Sequence, residues 1–281
     1  MKVAFQGEPG AYSEAAALAY FGGKIETVPC ESFETVFESI HGQVCDCGII
    51  PIENTLAGSI HRNYDLLLQH QLYIVGEYFL RVRHCLIGLP GAAMSDIRTV
   101  ISHPQALAQC DHYIRRMENP AGGKVKTEVG YDTSGSVKII KERRDPGFAA
   151  IASRRAAEYY GMNILAEGIE DDPANYTRFL ILDRTPVFPQ EDAKTSIVFT
   201  LKNLPGALFK ALSVFALREI DLTKMESRPL IGKVWEYQFY IDIAGSTTER
   251  RVARALEHLG EYALTLRLLG SYTRHLHSLE E

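Results

Sequence analysis

The sequence predicts an α/β protein in two parts, and three observations support this. From Lys2 to Asp183, buried strands alternate with helices, which is typical of parallel sheets covered on both faces. Residues 184–194 contain Pro186 and Pro189 and are predicted to be a linker. After the linker, about eighty residues follow the strand–helix–strand–strand–helix–strand order of a ferredoxin-like βαββαβ unit.

The composition is that of an ordinary globular protein and excludes some functions. The 281 residues suffice for two domains, and 46% of them are hydrophobic. The net charge is −5 and basic residues occur at most in pairs, so we expect no nucleic acid partner. No apolar run is long enough for a membrane span. The chain opens directly on a strand, without a signal peptide, so we expect a cytoplasmic protein.

Neither the cysteines nor the histidines form a recognisable ligand set. The nine histidines show no His-Glu-x-x-His or related spacing, so the sequence predicts no metal and no cofactor. We expect most of the five cysteines to be small buried side chains in a reducing cytoplasm: Cys30, Cys45, Cys47, Cys85 and Cys110.

The first part of the chain predicts three strands, three helices and one polar loop. Ser13 and Ser32 are the expected N-caps of the first two helices. The turn at 7–10 places backbone N–H groups at a helix start, where an anion could bind. Strands are predicted at 2–6, 25–28 and 46–50, and helices at 13–20, 33–40 and 60–69.

The polar loop follows the third strand and reads Pro51-Ile52-Glu53-Asn54-Thr55. Loops after buried strands are where α/β sheets commonly place binding residues. Asn54 could instead cap the next helix, but Glu53 and Asn54 precede the cap position, so we favour a functional loop.

Two more helices are preceded by polar side chains. Ser102, His103 and Gln109 are candidates to face a ligand, although a lone histidine before a helix is more often a packed or capping residue. Small hydroxyl residues cluster at 131–136, at the positive end of a helix dipole. The predicted strands are 73–79, 83–88, 98–101, 124–129, 148–152 and 164–167, and the helices are 106–117, 136–143 and 154–160.

The stretch from Asp171 to Asp183 places polar groups at the mouth of a buried strand. A turn leads into Tyr176-Thr177-Arg178, and residues 179–182 are all apolar. Thr177 and Arg178 could simply finish the strand edge, or they could face a ligand. The many neutral donors of these loops favour a small anionic ligand.

The last part supplies the βαββαβ unit. A turn at 203–208 contains Pro205 and Gly206 and starts its first helix. The strands are predicted at 195–202, 221–228, 234–243 and 263–270, and the helices at 208–218 and 247–259.

Together these motifs resemble prephenate dehydratase with a C-terminal ACT regulatory domain, over nearly the whole chain. Each motif is weak alone, but their order and spacing are specific. The catalytic motifs are Pro51–Thr55, Ser102–Gln105, Asp132–Ser134 and Thr177–Phe179, and the ACT motifs are Gly206–Leu208 and Glu226–Pro229.

The resemblance implies a two-lobed catalytic domain at 1–183 that is similar to periplasmic binding proteins. Lobe 1 would comprise about 1–76 and 163–183, and lobe 2 about 77–162, with the site in the cleft. The linker at 184–194 would lead to an ACT domain at 195–275. Bifunctional family members begin with a chorismate mutase domain, and we expect none here because the chain starts at a strand.

The resemblance also implies site residues and an effector. Prephenate would lose water and carbon dioxide in phenylalanine biosynthesis, and L-phenylalanine would inhibit between the paired subunits of a dimer or tetramer. The catalytic candidates are Thr177, Asn54, Ser102, Gln109, Glu53 and His103. The substrate-binding candidates are Arg178, Phe179, Thr55, Thr133, Ser134 and Gly135. The effector candidates are Asn203, Leu204, Gly206, Ala207, Leu208, Glu226, Ser227, Arg228 and Pro229.

For the chemistry we expect Thr177 to donate a hydrogen bond to the departing hydroxyl, with His103 as the second candidate. Arg178 should not clamp the ring carboxylate, because a tight ion pair there would oppose decarboxylation. Asn54, Ser102 and backbone N–H groups near Gly135 or Gly10 are expected to hold the other carboxylate.

Two alternatives stay open at this stage. An arogenate dehydratase would share every motif and would need an acid to meet the substrate ammonium. A catalytically silent binding protein with an amino-acid-sensing ACT module would keep the same fold, since fold does not fix function.

Overall fold

The computed structural model describes residues 1–117, 123–230, 233 and 236–276. The chain divides into two compact units, one of residues 1–68 and 78–179, the other of residues 69–77 and the chain from residue 180 onward. None of the described helices is long and apolar enough to span a membrane.

The first unit contains two sheets and the helices that cover them. Its strands are β1 Lys2–Gln6, β2 Glu26–Cys30, β3 Cys47–Asn54, β4 Gly58–Ser59, β5 Tyr73–Arg81, β6 Cys85–Gly88, β7 Thr99–Ser102, β8 Lys126–Val129, β9 Phe148–Ala152, β10 Asn163–Glu167 and β11 Tyr176–Asp183, of which β5 and β11 continue into the second unit. Its helices are α1 Tyr12–Phe21, α2 Phe33–His41, α3 His61–Gln69, α4 Pro104–Gln109, α5 Asp111–Arg116, α6 Thr133–Arg143 and α7 Arg154–Tyr160, with a short 3-10 turn at Met94–Asp96.

The first sheet has the strand order β2-β1-β3-β11-β5, with β4 paired to β3. Strand β1 runs parallel to both β2 and β3, while β4 runs antiparallel. Val3, Phe5 and Ile49 pack with Phe179 and the alanines of α1 in one buried cluster. The carboxyl ends of β1 and β3 therefore lie at one edge of this sheet.

The second sheet has the order β10-β6-β9-β7-β8 and is covered on both faces by apolar clusters. Strand β7 runs parallel to β8 and β9, but β6 runs antiparallel to β9 and β10. Purely parallel sheets were therefore a wrong expectation. Strand β6 follows directly from β5 of the first sheet, so no crossover helix within one sheet sets its direction.

Strand β10 also corrects the predicted lobe limits. We placed residues 163–183 with the first lobe, whereas Asn163–Glu167 pair with β6 in the second sheet. The remaining domain limits stay predictions.

Several local predictions are confirmed and others are corrected. Ser32 caps α2 through the N–H of Thr35, as expected, but Ala11 and not Ser13 precedes α1. The helix predicted at 106–117 breaks at Cys110, because the carbonyl of Gln109 accepts from the N–H of Asp171 and not from the next helical turn. All five cysteines are buried and free, as predicted.

The turn at residues 7–10 docks against the helices of the second sheet. The carbonyl of Gly10 accepts from the hydroxyl of Ser153 at 2.6 Å, and its N–H donates to Glu14 at 2.7 Å. Glu14 in turn accepts from Nε of Arg155 at 2.7 Å. Burial alone would raise the pKa of Glu14, but the hydrogen bonds from Arg155 and Gly10 hold that pKa below its usual value. The N–H of Gly10 is therefore occupied, which corrects our expectation of an anion site there.

The second unit carries the predicted βαββαβ arrangement. Its four-stranded antiparallel sheet has the order β13-β14-β12-β15, and one apolar cluster lies between sheet and helices. The predicted start of the third strand, residues 234 and 235, lies outside the described residues. The elements are β12 Ala193–Leu201, α8 Ala207–Ala216, β13 Leu222–Pro229, β14 Tyr237–Ala244, α9 Arg250–Tyr262 and β15 Ala263–Thr273.

Residues 69–77 are fastened to this same sheet by polar contacts. Nζ of the buried Lys194 lies 2.6 Å from Oε1 of Glu77, and Arg267 donates to the carbonyl of His70 at 2.6 Å. A Cβ on Gly270 would meet the carbonyl oxygen of Ile74 at 2.1 Å, so the backbones are in close contact.

The fold class, a mixed α/β region followed by a ferredoxin-like unit, is confirmed.

Replacing Gly10 by alanine should lower the free energy of unfolding by about 2–5 kcal/mol, through backbone strain and overpacking. Gly10 has φ +90°, and a Cβ there would lie 2.6 Å from Cα of Ala156. The matched control is Gly22→Ala, at φ +72° with open space around it, which should cost only the about 1–2 kcal/mol of a left-handed alanine. Chemical denaturation of both variants measures the difference. Equal losses would contradict the tight packing at Gly10.

Candidate active site

A cavity of about 440 Å³ lies within the first unit, between its two sheets. The ends of several strands and the starts of several helices bring polar side chains to it. Its lining includes Gln6, Tyr12, Ser13, Asn54, His84, His103, Gln105, Gln109, Asp132, Thr133, Thr177 and Phe179. Most of these groups are neutral donors or acceptors, as the sequence predicted.

Asn54 and Thr177 form the centre of the lining. Asn54 ends β3 and Thr177 begins β11, and these strands are neighbours in the first sheet. Nδ2 of Asn54 donates to Oγ1 of Thr177 at 3.0 Å, and also contacts Oδ1 of Asn175 at 2.8 Å. Both Asn54 and Thr177 are buried. The Thr177 oxygen is therefore an acceptor toward Asn54, which leaves its own proton available to a ligand.

The orientation of the Asn54 amide is fixed by the backbone. Oδ1 of Asn54 accepts from the N–H groups of Leu56 at 3.1 Å and Ala57 at 3.0 Å. A carbonyl oxygen must face these two donors, so Nδ2 must face Thr177. The loop after β3 thus sets the direction of the hydrogen bond to Thr177.

A chain of hydrogen bonds continues from Asn54 across the cavity. Nε2 of Gln109 lies 3.5 Å from Oδ1 of Asn54, and Oε1 of Gln109 lies 2.9 Å from Nε2 of His84. Nδ1 of His84 lies 2.9 Å from the hydroxyl of Tyr12. Burial lowers the pKa of His84, which the hydrogen bond to Gln109 only partly opposes, and burial raises the pKa of Tyr12. Both side chains are therefore neutral near pH 7.

His103 and Asp132 lie at the starts of α4 and α6 and also line the cavity. Nδ1 of His103 accepts from the N–H of Gln105 at 3.3 Å, so the proton of the neutral ring sits on Nε2. Oδ1 of Asp132 caps α6 through the N–H of Gly135 at 2.9 Å. Burial raises the pKa of Asp132, and hydrogen bonds from Gly135 and Ser134 oppose the rise.

Side chains alternate between the two faces of a strand, which explains why some sequence neighbours of these residues do not line the cavity. Thr177 and Phe179 line it, whereas the buried Arg178 between them lies on the other face of β11. Glu53 likewise precedes Asn54 on β3 and is not among the described lining residues. Arg178 and Glu53 are therefore not among the described residues that line the cavity with Thr177.

Four more predicted residues hold the surrounding loops. The buried hydroxyl of Ser102 donates to the carbonyl of Ile151 at 2.6 Å, and that of Ser134 donates to the carbonyl of Pro9. Thr55 donates to Ala174 at 2.6 Å and accepts from the N–H of Tyr176 at 2.9 Å. The N–H of Gly135 is taken by Asp132, so we correct the expectation that it would hold a carboxylate.

Tyr12, His84 and Asp132 are among the lining residues that sequence reasoning did not select. Tyr12 and His84 have no motif around them, and only the chain of contacts from Asn54 identifies them. Asp132 belongs to the Asp132–Ser134 motif, in which we considered mainly the hydroxyl residues as ligand candidates. Its position directly before a helix is the sequence feature that could have drawn attention to it.

The second unit has a smaller cavity of about 110 Å³ at the start of α8. Gly206 precedes this helix in the left-handed conformation at φ +77°. The predicted residues on β13, Glu226, Ser227, Arg228 and Pro229, pair with β14 and do not line the cavity. The lining comprises Leu201, Lys202, Asn203, Leu204, Ala207, Leu208, Glu236, Tyr237 and Phe239.

Comparison with known proteins identifies relatives over almost the full chain. A chloroplastic protein of Arabidopsis thaliana, arogenate dehydratase/prephenate dehydratase 2, is 49% identical over 97% of this chain and 72% of its own. The structure of GqqA, a quorum-quenching acylase, superposes with a TM-score of 0.90 at 35% identity over 98% of both chains. The prephenate dehydratase of Arthrobacter aurescens, solved in complex with L-Phe, gives a TM-score of 0.88 at 32% identity, over 98% of this chain and 90% of that one.

Two family matches fit the two units. The prephenate dehydratase family matches residues 3–187, and the ACT domain family matches residues 195–261. On these matches and on the relatives above, the chain belongs to the prephenate dehydratase family and carries an ACT domain after its dehydratase domain.

Proposed function

We propose that the 440 Å³ cavity catalyses the decarboxylative dehydration of prephenate to phenylpyruvate. The observation that supports this best is the Thr177 hydroxyl, which accepts from Asn54 and keeps its proton for a ligand. The reaction needs a donor at the departing oxygen, and a buried, oriented hydroxyl supplies one.

In this reaction two bonds of the ring break together. The bond to the ring carboxylate releases carbon dioxide, and its electron pair enters the ring as the bond to the hydroxyl breaks. The leaving oxygen takes up one proton and departs as water. Because an alkyl hydroxyl is a weak acid, Thr177 stabilises the developing charge by its hydrogen bond, and solvent provides the proton.

His103 and Thr133 are the proposed partners of the pyruvyl carboxylate. The donors that we first expected, at Gly10 and Gly135, are used within the protein. His103 presents Nε2–H and Thr133 a hydroxyl, and both line the cavity. Two neutral donors can orient a carboxylate without neutralising it.

Thr177→Ala should lower kcat by about 10²–10⁴-fold, because the donor to the leaving oxygen is lost. KM should change little, since the bond strengthens only as charge develops. Thr177→Ser is the matched control, because it keeps the hydroxyl, and it should stay within about 10-fold of wild type. Phenylpyruvate formation from prephenate measures both. Wild-type kcat in Thr177→Ala would contradict the role, and a wild-type protein without turnover would leave a binding protein.

Arogenate is the second candidate substrate, and Asp132 is the observation that favours it. Arogenate bears an α-ammonium where prephenate has a keto group. Asp132 supplies a half-buried carboxylate within the cavity, which could pair with that ammonium.

Asp132→Asn should lower kcat/KM for arogenate by about 10- to 100-fold, the cost of a charge-assisted hydrogen bond. Turnover of prephenate should be retained, and asparagine should still cap α6, because it is as good an N-cap as aspartate. The comparison uses phenylalanine formation from arogenate beside phenylpyruvate formation from prephenate. Equal losses on both substrates would contradict the ammonium contact.

Amide hydrolysis, suggested by the similarity to GqqA, fits the geometry less well. A hydroxyl nucleophile is activated by a base that removes its proton. The Thr177 oxygen instead receives a hydrogen bond from the Asn54 amide, which cannot accept a proton. This arrangement suits donation by Thr177.

Regulation by L-phenylalanine at the ACT domain is part of the proposal. The 110 Å³ cavity includes four of the predicted effector residues, Asn203, Leu204, Ala207 and Leu208. An inhibitor must bind the less active state better. We propose at least a dimer that pairs ACT domains, with a tetramer as its extension, and the linker at 184–194 as the hinge.

Ala207→Leu should weaken inhibition by L-phenylalanine at least 10-fold and leave uninhibited kcat unchanged. The larger side chain fills the small cavity, which is where we place the effector. Ala216→Leu is the control, because this alanine is exposed at the far end of the same helix. Inhibition curves with prephenate as substrate measure both. Unchanged inhibition in Ala207→Leu would place the effector elsewhere.

The cellular location stays a prediction. A cytoplasmic location was expected from the sequence, while the Arabidopsis thaliana relative is a chloroplastic protein.

A further inference from the structure

The hydrogen bonds across the active-site cavity have one consistent direction. The backbone N–H groups of Leu56 and Ala57 require the oxygen of the Asn54 amide on their side. That same oxygen faces Gln109 at 3.5 Å, so Gln109 must present its Nε2 donor to it. The orientation of one amide thus decides the orientation of the next.

The Gln109 amide in turn decides which nitrogen of His84 carries a proton. Its Oε1 lies 2.9 Å from Nε2 of His84, so this nitrogen must donate. In the neutral ring Nδ1 is then an acceptor, and the Tyr12 hydroxyl, which lies 2.9 Å both from this nitrogen and from the carbonyl of Arg83, shares its one proton between them. The backbone N–H of His84 donates to Oε2 of Glu170 at 2.8 Å, and this hydrogen bond anchors the main chain behind the ring.

We propose that His84 is a positioning residue for the reaction: through Gln109 it holds the Asn54 amide and so keeps the Thr177 proton turned toward the substrate. Tyr12 supports it from the opposite side of the imidazole. The inference rests on the proposed dehydratase function, which it extends to residues outside the recognised motifs.

The effect of losing the His84 donor follows from the same geometry. Oε1 of Gln109 would lose its partner, and the Gln109 amide could turn over. Two oxygens, those of Gln109 and Asn54, would then face each other, and their repulsion would act on the amide that donates to Thr177, against the hold of the Leu56 and Ala57 N–H groups. Because misplacement by about 1 Å can cost a catalyst roughly 100-fold, the loss should be seen in kcat.

Two substitutions at His84 separate this role from simple packing. In His84→Gln, the glutamine side-chain nitrogen can occupy the position of the imidazole Nε2, so this variant can still donate a hydrogen bond to Gln109. His84→Asn reaches only the place of Nδ1 and cannot. We expect kcat within about 3-fold of wild type for His84→Gln and about 10- to 100-fold lower for His84→Asn, with KM changed less than about 3-fold in both.

The controls distinguish the failure of this proposal from the failure of the proposed function. Thermal unfolding of both variants shows whether each is folded at the assay temperature. Equal losses of kcat in the two variants would overturn the role of His84 while the dehydratase function stands. A wild-type protein without turnover of prephenate or arogenate would overturn the proposed function and, with it, a role of His84 in catalysis.

A measurement on the unsubstituted protein does not depend on either variant folding. With ¹⁵N-labelled histidine, NMR reports which imidazole nitrogen carries hydrogen, and the His84→Gln spectrum identifies the His84 signals. We expect a neutral ring at pH 7 with the proton on Nε2 and an unprotonated Nδ1. An unprotonated Nε2 would overturn the proposal, because His84 could then not donate to Gln109.

Discussion

The hydrogen bond from the Asn54 amide to the Thr177 hydroxyl is the interaction on which the site depends. It is possible only because β3 and β11 are neighbours in one sheet and because two backbone N–H groups fix the amide. A threonine hydroxyl without such a partner rotates freely and is an indifferent donor. Held by Asn54, it becomes a donor with one direction, which is the preorganisation that catalysis needs.

The sequence predicted these two residues because both stand at strand ends, where open sheets place their sites. Local pattern alone could not separate the other candidates that line the cavity from those that do not. Arg178 and Glu53 lie on the strand faces that point away from the cavity, because successive side chains of a strand point to opposite faces of the sheet. Ser102 and Ser134 looked like ligand donors, but buried backbone carbonyls needed the same hydroxyls.

The contacts that the sequence did not reveal are the long-range ones. His84 and Tyr12 are 72 positions apart, and only the packing of α1 beside the passage from β5 to β6 brings them together. The turn at residues 7–10 shows the same limit. Its N–H groups looked available to an anion, yet α6 and α7 dock against the turn, and Glu14 occupies the N–H of Gly10. A glycine turn before a helix has the same sequence in both situations.

The charge of the cavity decides what it can accept. Among its described lining residues there is no lysine or arginine, and Arg178 lies behind β11. A ring carboxylate held there keeps its charge unpaired, which favours its loss as carbon dioxide. Because the described lining residues include no lysine or arginine, binding a dianion such as prephenate next to an ionised Asp132 is electrostatically unfavourable. The raised pKa of Asp132 eases this cost by favouring the protonated form, whereas the ammonium of arogenate pairs with the ionised form. In our proposal, the Asp132 carboxyl is therefore the group in this cavity that distinguishes arogenate from prephenate.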